Sequence, residues 1–374
     1  MVENLYLKYF SRGIIMKIGI VTVEKSANVG SYLQAYALKE TLEALGHKIF
    51  FINTGQDKCF KREYYWWIPK RGNLKYPLRF IARNLDGIKK YKIFKENIKK
   101  FPVYDLQKDR LDLVILGSDE IWNIKRPLFQ KRIYYGNIEE VPVITYAVSV
   151  GESDYEDFLK FPYIIEDIKK IRTISVRDDQ SELVVEKITG VLPTKVCDPT
   201  FLIEKATFSE EYRDEFIENN KYILVYFYNG SISRNTKEII KEFARKQGLK
   251  IVSAALYNDW VDHHVTCSPL QFSYILKKAE YVITGTFHGN IFSIINNKKF
   301  VCIPLSKKVR DLVGRLGLND RIIKEEELDC SVLEDKLVFS EINYEEVELK
   351  ISEMKEKSLE YLKASIKEYD NTNM

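Results

Sequence analysis

The sequence predicts an α/β protein built as two wound domains, and three observations predict it. Short runs of β-branched and aliphatic residues alternate with segments of helical period. Several of these runs end abruptly in small, polar or charged residues, as strands do where an open parallel sheet presents its binding edge. The alternation starts afresh just past Asp198-Pro199-Thr200 in a chain of 374 residues, longer than the ~250–300 at which one core stops growing.

Residues 17–23 form the first strand-like run, and a polar loop covers 24–30. Residues 31–45 then place Leu38, Leu42 and Leu45 on one helical stripe. Gly46 is positioned to stop that helix, with His47 in a capping position after it, and 48–53 is strand-like again. This is one βαβ unit. Residues 56–110 differ in kind: rich in Lys and Arg, poor in acids, and carrying Tyr64, Tyr65, Trp66, Trp67, Tyr76, Phe80 and Tyr91. They read as a helical, partly exposed insertion packing aromatics on the first domain. The sharper reading is a basic, aromatic face that meets an anionic membrane surface.

Strand-like runs resume at 111–116, 141–148, 172–176 and 194–197. They finish in Gly117-Ser118-Asp119, Ser149-Val150-Gly151, Arg177-Asp178-Asp179 and Asp198-Pro199-Thr200. The second series opens with a strand at 221–227, a helix at 235–247 stopped by Gly248, and a strand at 249–254. A helix follows at 268–278, with Ser268 as N-cap and Pro269 at its first position. Next come a strand at 281–284, the loop Gly285-Thr286-Phe287-His288-Gly289, a helix at 290–296 and a strand at 299–303. A charged helix at 344–369 is placed to cross back and brace the first domain. The implied division is 16–204 for the N-terminal domain with 56–110 inserted, 205–335 for the second, and 336–374 for a C-terminal helical segment.

Composition narrows the function classes. A net charge of +4 is too mild for a nucleic-acid binder and compatible with an anionic small substrate. The five cysteines are dispersed, without a CxxC pair, so neither a zinc site nor a dithiol is expected, and reduced thiols are the simple reading. No apolar run reaches the ~20 residues a bilayer span needs, which points to a cytoplasmic protein. Met16 reads as a start leading straight into a strand, and residues 1–15, which lack the pattern of a signal peptide, receive no role. GxSxG, Walker and HExxH motifs are absent.

The candidate residues sit at strand ends. Asn28-Val29-Gly30-Ser31 joins a strand to a helix, where Gly30 lets the backbone approach a ligand and free N–H groups favour an anion. Within Gly117-Ser118-Asp119-Glu120-Ile121-Trp122-Asn123, Asp119 is a candidate base or sugar-orienting group; helix capping by Ser118 or Asp119 is the plainer alternative. Arg177 is placed to hold a carboxylate or phosphate in a fork, or else to make an interdomain salt bridge. Of the four histidines, only His288 lies between a buried strand and a helix start, where it can give and take a proton. His263 and His264 read as a surface loop rather than a metal site.

Together, Asn28-Val29-Gly30-Ser31-Tyr32-Leu33-Gln34-Ala35-Tyr36-Ala37-Leu38, Leu116-Gly117-Ser118-Asp119-Glu120-Ile121-Trp122-Asn123, Tyr146-Ala147-Val148-Ser149-Val150-Gly151, Ser175-Val176-Arg177-Asp178, Cys197-Asp198-Pro199-Thr200 and Thr286-Phe287-His288-Gly289 resemble the polysaccharide pyruvyltransferase family. The resemblance covers residues 17 to about 323, and Thr286 stands where this family more often has serine. It implies two Rossmann-like domains in a GT-B-like arrangement with a C-terminal helix. It also implies transfer of pyruvate from phosphoenolpyruvate to two hydroxyls of a sugar, giving a ketal and phosphate in a bacterial surface polysaccharide or its precursor. By carry-over His288 is the catalytic histidine and Arg177 a phosphoenolpyruvate ligand. Asp119 is the expected base for the sugar hydroxyl, with Asn28, Gly30, Ser118, Thr286 and Gly289 as binding positions. The scheme requires no metal and no cofactor beyond the donor. The acceptor is a saccharide, free or lipid-linked, the latter reached by peripheral contact with the inner membrane face. The competing readings are a GT-B glycosyltransferase using a nucleotide sugar and a non-catalytic glycan-binding protein.

Overall fold

The computed structural model describes residues 15–55, 77–104, 110–208 and 210–370. Tyr64, Tyr65, Trp66, Trp67 and Tyr76 of the basic aromatic segment lie outside the described residues, as do Cys59 and residues 1–14.

The first sheet is built from β1 (Lys17–Val21), β2 (Lys48–Ile52), β3 (Val103–Tyr104), β4 (Leu113–Leu116) and β5 (Val143–Thr145), in the order β3-β2-β1-β4-β5. Every pairing is parallel, with Ile18 opposite Ile49 on one side and Leu113 on the other. Single bridges, Ile144 with Thr173 and Val148 with Val176, extend this sheet toward β6 (Ser175–Val176) and β7 (Thr194–Lys195), a short parallel pair of their own. The second sheet repeats the plan with β8 (Tyr222–Tyr226), β9 (Lys250–Ala254), β10 (His263–Val265), β11 (Tyr281–Thr284) and β12 (Phe300–Cys302), ordered β10-β9-β8-β11-β12. The strand order reverses beside β1 in one sheet and beside β8 in the other, and ligands bind beyond the carboxyl ends of strands at such points. Strands buried on both faces read as unbroken apolar runs, and Leu113–Leu116 and Tyr222–Tyr226 are buried throughout.

The helices that matter for the site start at strand ends. α1 (Val29–Ala44) follows β1 and is buried around much of its circumference; it ends where the Gly46 and His47 N–H groups bond to Glu43 and Leu42 carbonyls. Among the described residues of the basic segment, α2 (Pro77–Ile98) is the one long helix. α3 (Asp179–Thr189) follows β6, α4 (Arg234–Lys246) follows β8, and α5 (Pro269–Lys278) opens with a Ser268–Gln271 capping box. α6 (Phe287–Ile295) follows β11 and α7 (Lys307–Arg315) follows β12. The last helix, α8 (Tyr344–Asp370), returns to the first domain: Tyr361 Oη donates to the Thr145 carbonyl at 2.8 Å, and Ser358 Oγ accepts the Cys197 N–H at 2.9 Å.

Three apolar clusters hold these layers. One covers the outer face of the first sheet, one the outer face of the second, and the third is shared, with Tyr32, Leu33 and Leu38 of α1 in the same cluster as Phe272, Ile291 and Leu362. Burial of that shared face is what fixes the two sheets against each other. The structure departs from the sequence pattern at two places. His263 and His264 are not a surface loop: they form the parallel edge strand β10, with His264 Nε2 2.9 Å from Asp86 and its Nδ1 2.8 Å from Ser253 Oγ. The helix after β11 begins three residues earlier than the sequence pattern indicates, because Thr286 caps it, so His288 lies in the first helical turn and not in a loop.

Candidate functional site

A cavity of about 1390 Å³ opens between the two sheets, walled by the carboxyl ends of β1, β4, β8 and β11 and the N-termini of α1, α3, α6 and α7. Asn28, Asp119, Thr286 and His288 line it directly. Asn28 is the N-cap of α1: its Oδ1 accepts from Gly30 and Ser31 N–H at 2.8 and 3.3 Å. Its Nδ2 donates across the cleft to Tyr228 Oη at 3.3 Å. Thr286 caps α6 in the same way, accepting the Gly289 N–H at 3.1 Å.

His288 stands where these two helix starts meet. A Cβ on Gly30 would fall 2.0 Å from its Nδ1, so only glycine lets α1 press against the imidazole. A Cβ on Gly289 would fall 2.2 Å from Thr284 Oγ1, and glycine there lets α6 seat against β11. Neither glycine faces the cavity; both position the group that does. His288 Nε2 is buried without a hydrogen-bond partner, 3.8 Å from Asp198 Oδ2, beyond hydrogen-bond reach. Burial pushes the imidazole down to about 4, with Arg177 and Lys308 adding to the effect while Asp198 and Asp119 oppose it. The ring is therefore neutral at neutral pH.

Behind it lies an ion-pair network. Arg177 NH1 donates to Asp198 Oδ2 at 2.5 Å, NH2 lies 3.4 Å from Asp119 Oδ1, and the guanidinium sits 4.7 Å from the Phe287 ring centre. Asp198 uses its other oxygen to accept from the Thr200 N–H and hydroxyl. Arg177 is buried and does not line the cavity, so a free fork for a ligand carboxylate is not what this side chain presents. Its strand-end position was legible, but the two acids that capture it come from other strands. Asp119 adopts a positive φ of 80°, a conformation aspartate tolerates better than most residues. Burial would raise its carboxyl, yet Arg177, His288 and Lys308 outweigh burial and hold it at about 2. Ser118 is also behind the wall: its Oγ donates to Gln34 Oε1 at 2.9 Å and its carbonyl accepts from Thr22 Oγ1 at 3.0 Å. That places Ser118 in a buried tie between α1, β1 and β4 rather than in contact with a ligand.

Sequence reasoning missed the cavity's own cations. Lys308, at the start of α7, pairs with Glu120 and lies 5.4 Å from the Phe287 ring. Arg126 reaches the other Glu120 oxygen at 3.3 Å. Ser306, the N-cap residue of α7, makes no side-chain capping bond, and Ser306, Lys307 and Lys308 all line the cavity. An uncapped helix start with two lysines is an anion site in its chemistry. One lysine pair among 58 cations gives no sequence signal. Asp198 stood in a recognised stretch, but its pairing with Arg177 and its approach to His288 depend on the fold. Among the described residues no cluster of His, Cys, Asp and Glu could hold a metal ion.

The fold is similar to that of several solved structures. A UDP-N-acetylglucosamine 2-epimerase from Neisseria meningitidis bound to UDP-GlcNAc superposes with a TM-score of 0.51 at 9% identity, covering 94% of this chain and 99% of that one. MnaA from S. aureus with UDP gives 0.51 at 13% identity, covering 96% and 97%. At that identity the likeness establishes architecture alone: an α/β fold of two Rossmann-like, GT-B-like domains with a C-terminal helix. No curated protein matches the chain in sequence. The family model described as polysaccharide pyruvyl transferase matches residues 28–307, a stretch that contains every cavity residue named above except Lys308, and the chain belongs to that family of transferases.

Proposed function

We propose that the cleft transfers pyruvate from phosphoenolpyruvate to two hydroxyls of a saccharide acceptor, forming a ketal and releasing phosphate. The observation that carries this reading is a neutral histidine with an unpartnered Nε2, set on the same wall as an uncapped helix start and Lys308. Phosphoenolpyruvate is an anion at both ends, phosphate and carboxylate. The uncapped α7 start with Lys307 and Lys308 suits the phosphate. Arg177 acts through others: it fixes Asp119 and Asp198 around the imidazole.

The chemistry balances without a metal or further cofactor. The first sugar hydroxyl adds to the central carbon of the donor, and its proton passes through His288 to the methylene carbon, which becomes the methyl group. The second hydroxyl then displaces phosphate from the same carbon, and its proton leaves with the phosphate. A neutral imidazole suits the first half of this relay, and the imidazolium it becomes is stabilised by Asp119 and Asp198. At about 2, Asp119 is too weak a base to take the hydroxyl proton itself, so its part is electrostatic. Burial of the His288 Nε2 in the cleft wall limits the access of water that would compete for the activated carbon.

The test is phosphate release from phosphoenolpyruvate in the presence of bacterial surface saccharides, free and lipid-linked, with a nucleotide sugar as the control donor. Acceptor-dependent phosphate release with a ketal product supports the reading. Turnover of the nucleotide sugar with none of phosphoenolpyruvate contradicts it.

A further inference from the structure

The helix α2 has two faces with different employment. Its inner face is tied down: Asp86 accepts from His264 Nε2 at 2.9 Å and from Thr266 Oγ1 at 2.5 Å, Lys90 Nζ donates to the Ala255 carbonyl at 2.7 Å, and Phe94 is fully buried. Asn97 takes a bond from Tyr32 Oη on its carbonyl at 3.3 Å. The helix is thus held by the second domain along its first half and by α1 near its end.

The outer face is a single stripe at alternating spacings of four and three: Ile81, Leu85, Ile88, Lys92, Lys95 and, just past the helix, Lys99. Its first half is apolar and open, with Ile81, Leu85 and Ile88 exposed by 52, 55 and 36%. Its second half is entirely cationic and exposed. Between residues 80 and 100 seven cations stand against two acids, Asp86 and Glu96, in a chain whose net charge is only +4. Asp86 is turned inward to His264, and Glu96 is paired with Lys99 at 2.7 Å, so the outer face shows little negative charge.

We propose that this outer face of α2 is a docking surface for an anionic lipid bilayer. Apolar side chains beside lysines on one rigid helix match the layered chemistry of that surface. The apolar part enters the acyl boundary, and lysine stems lie along it with their ammonium groups among the anionic headgroups. A protein groove would match the apolar half but not the cationic one. Lys90, on the inner face of the same helix, lines the cleft. The inference goes beyond the proposed reaction and does not depend on it, since binding to lipid is read without turnover.

The experiment is flotation of the full chain with phosphatidylcholine vesicles, with and without phosphatidylglycerol. Wild type, Lys92→Glu/Lys95→Glu and Ile81→Ser/Leu85→Ser are compared at low and high salt, with circular dichroism to confirm folding. The expected result is binding to phosphatidylglycerol vesicles at low salt and its loss near ~1 M salt, where the screening length falls to ~3 Å. Each lysine lost should weaken partitioning roughly fivefold, and the serine variant should also bind less. No binding at low salt, or binding that neither variant weakens, overturns the proposal. So does a dimer in sedimentation velocity that the serine variant dissolves, because the stripe is then a protein interface.

Discussion

His288 gains its chemical character from neighbours that the sequence places far away. Gly30 clears its edge, Asp198 stops short of bonding it, and Arg177 and Lys308 help burial keep it neutral. His288→Ala should lower acceptor-dependent phosphate release by ~10²–10⁴-fold while leaving the fold intact, as judged by initial rates beside a thermal melt. The pH profile carries a sharper expectation. The active form is the neutral ring, whose pKa is depressed to about 4, so kcat/KM should hold as pH falls through the usual histidine range and drop only near 4. An acid limb at 6.5 or above would show that the ring is not in the environment described. For Arg177 the expectation is structural. Arg177→Ala leaves Asp198 buried without its cation, and should cost about 3–5 kcal/mol in denaturant unfolding. A loss below ~1 kcal/mol, with phosphoenolpyruvate binding abolished, would mean that the side chain serves the ligand after all.

At the scale of elements, the cleft is latched on one side by α3 against α7. Asp311 of α7 accepts the Asp179 N–H at 3.2 Å, and the two carboxyls adjoin, with Lys195 paired to Asp179 and Arg315 nearby. Burial and Asp179 push Asp311 from an ordinary 3.8 up to about 6. The folded form therefore takes up a proton that the unfolded chain does not hold. Asp311's own contribution is fully present below pH ~4 and is lost as pH rises through about 6. Asp311→Asn keeps a neutral partner for Asp179, so the difference in melting temperature between wild type and variant should change across that window, the variant gaining as pH rises. A constant difference would contradict the latch. Helix starts were the best-read elements in the sequence. Ser268-Pro269 opened α5 as expected, since capping is local chemistry. α6 starts three residues earlier than the pattern indicates because only Gly285 separates β11 from the Thr286 cap, and β10 escapes the pattern because its two histidines are polar. Their partners, Asp86, Ser253 and Asp214, lie in other elements.

For the whole molecule, two sheets of the same strand order face one another, and both reversal points open into one cleft. That much was legible because each buried strand announces itself and ends in a short polar stretch. Of the residues expected at the site, Asn28, Thr286, His288 and Asp119 line the cavity, while Gly30 and Gly289 lie behind it. Arg177 and Ser118 do not, because a strand-end position fixes which sheet edge a residue occupies but not whether its side chain turns toward ligand or toward buried partners. Lys308 emerged only from the fold, which carries α7 of the second domain against Glu120 of the first.

The most direct measurement is a calorimetric titration of phosphoenolpyruvate into wild type and Lys308→Ala, repeated with saccharide acceptors present. The account predicts saturable binding to wild type and at least ~10-fold weaker binding to the variant, the loss of one charge-assisted contact. Binding of equal strength to both would remove the anion site from the start of α7. No heat with wild type under either condition would contradict the donor itself.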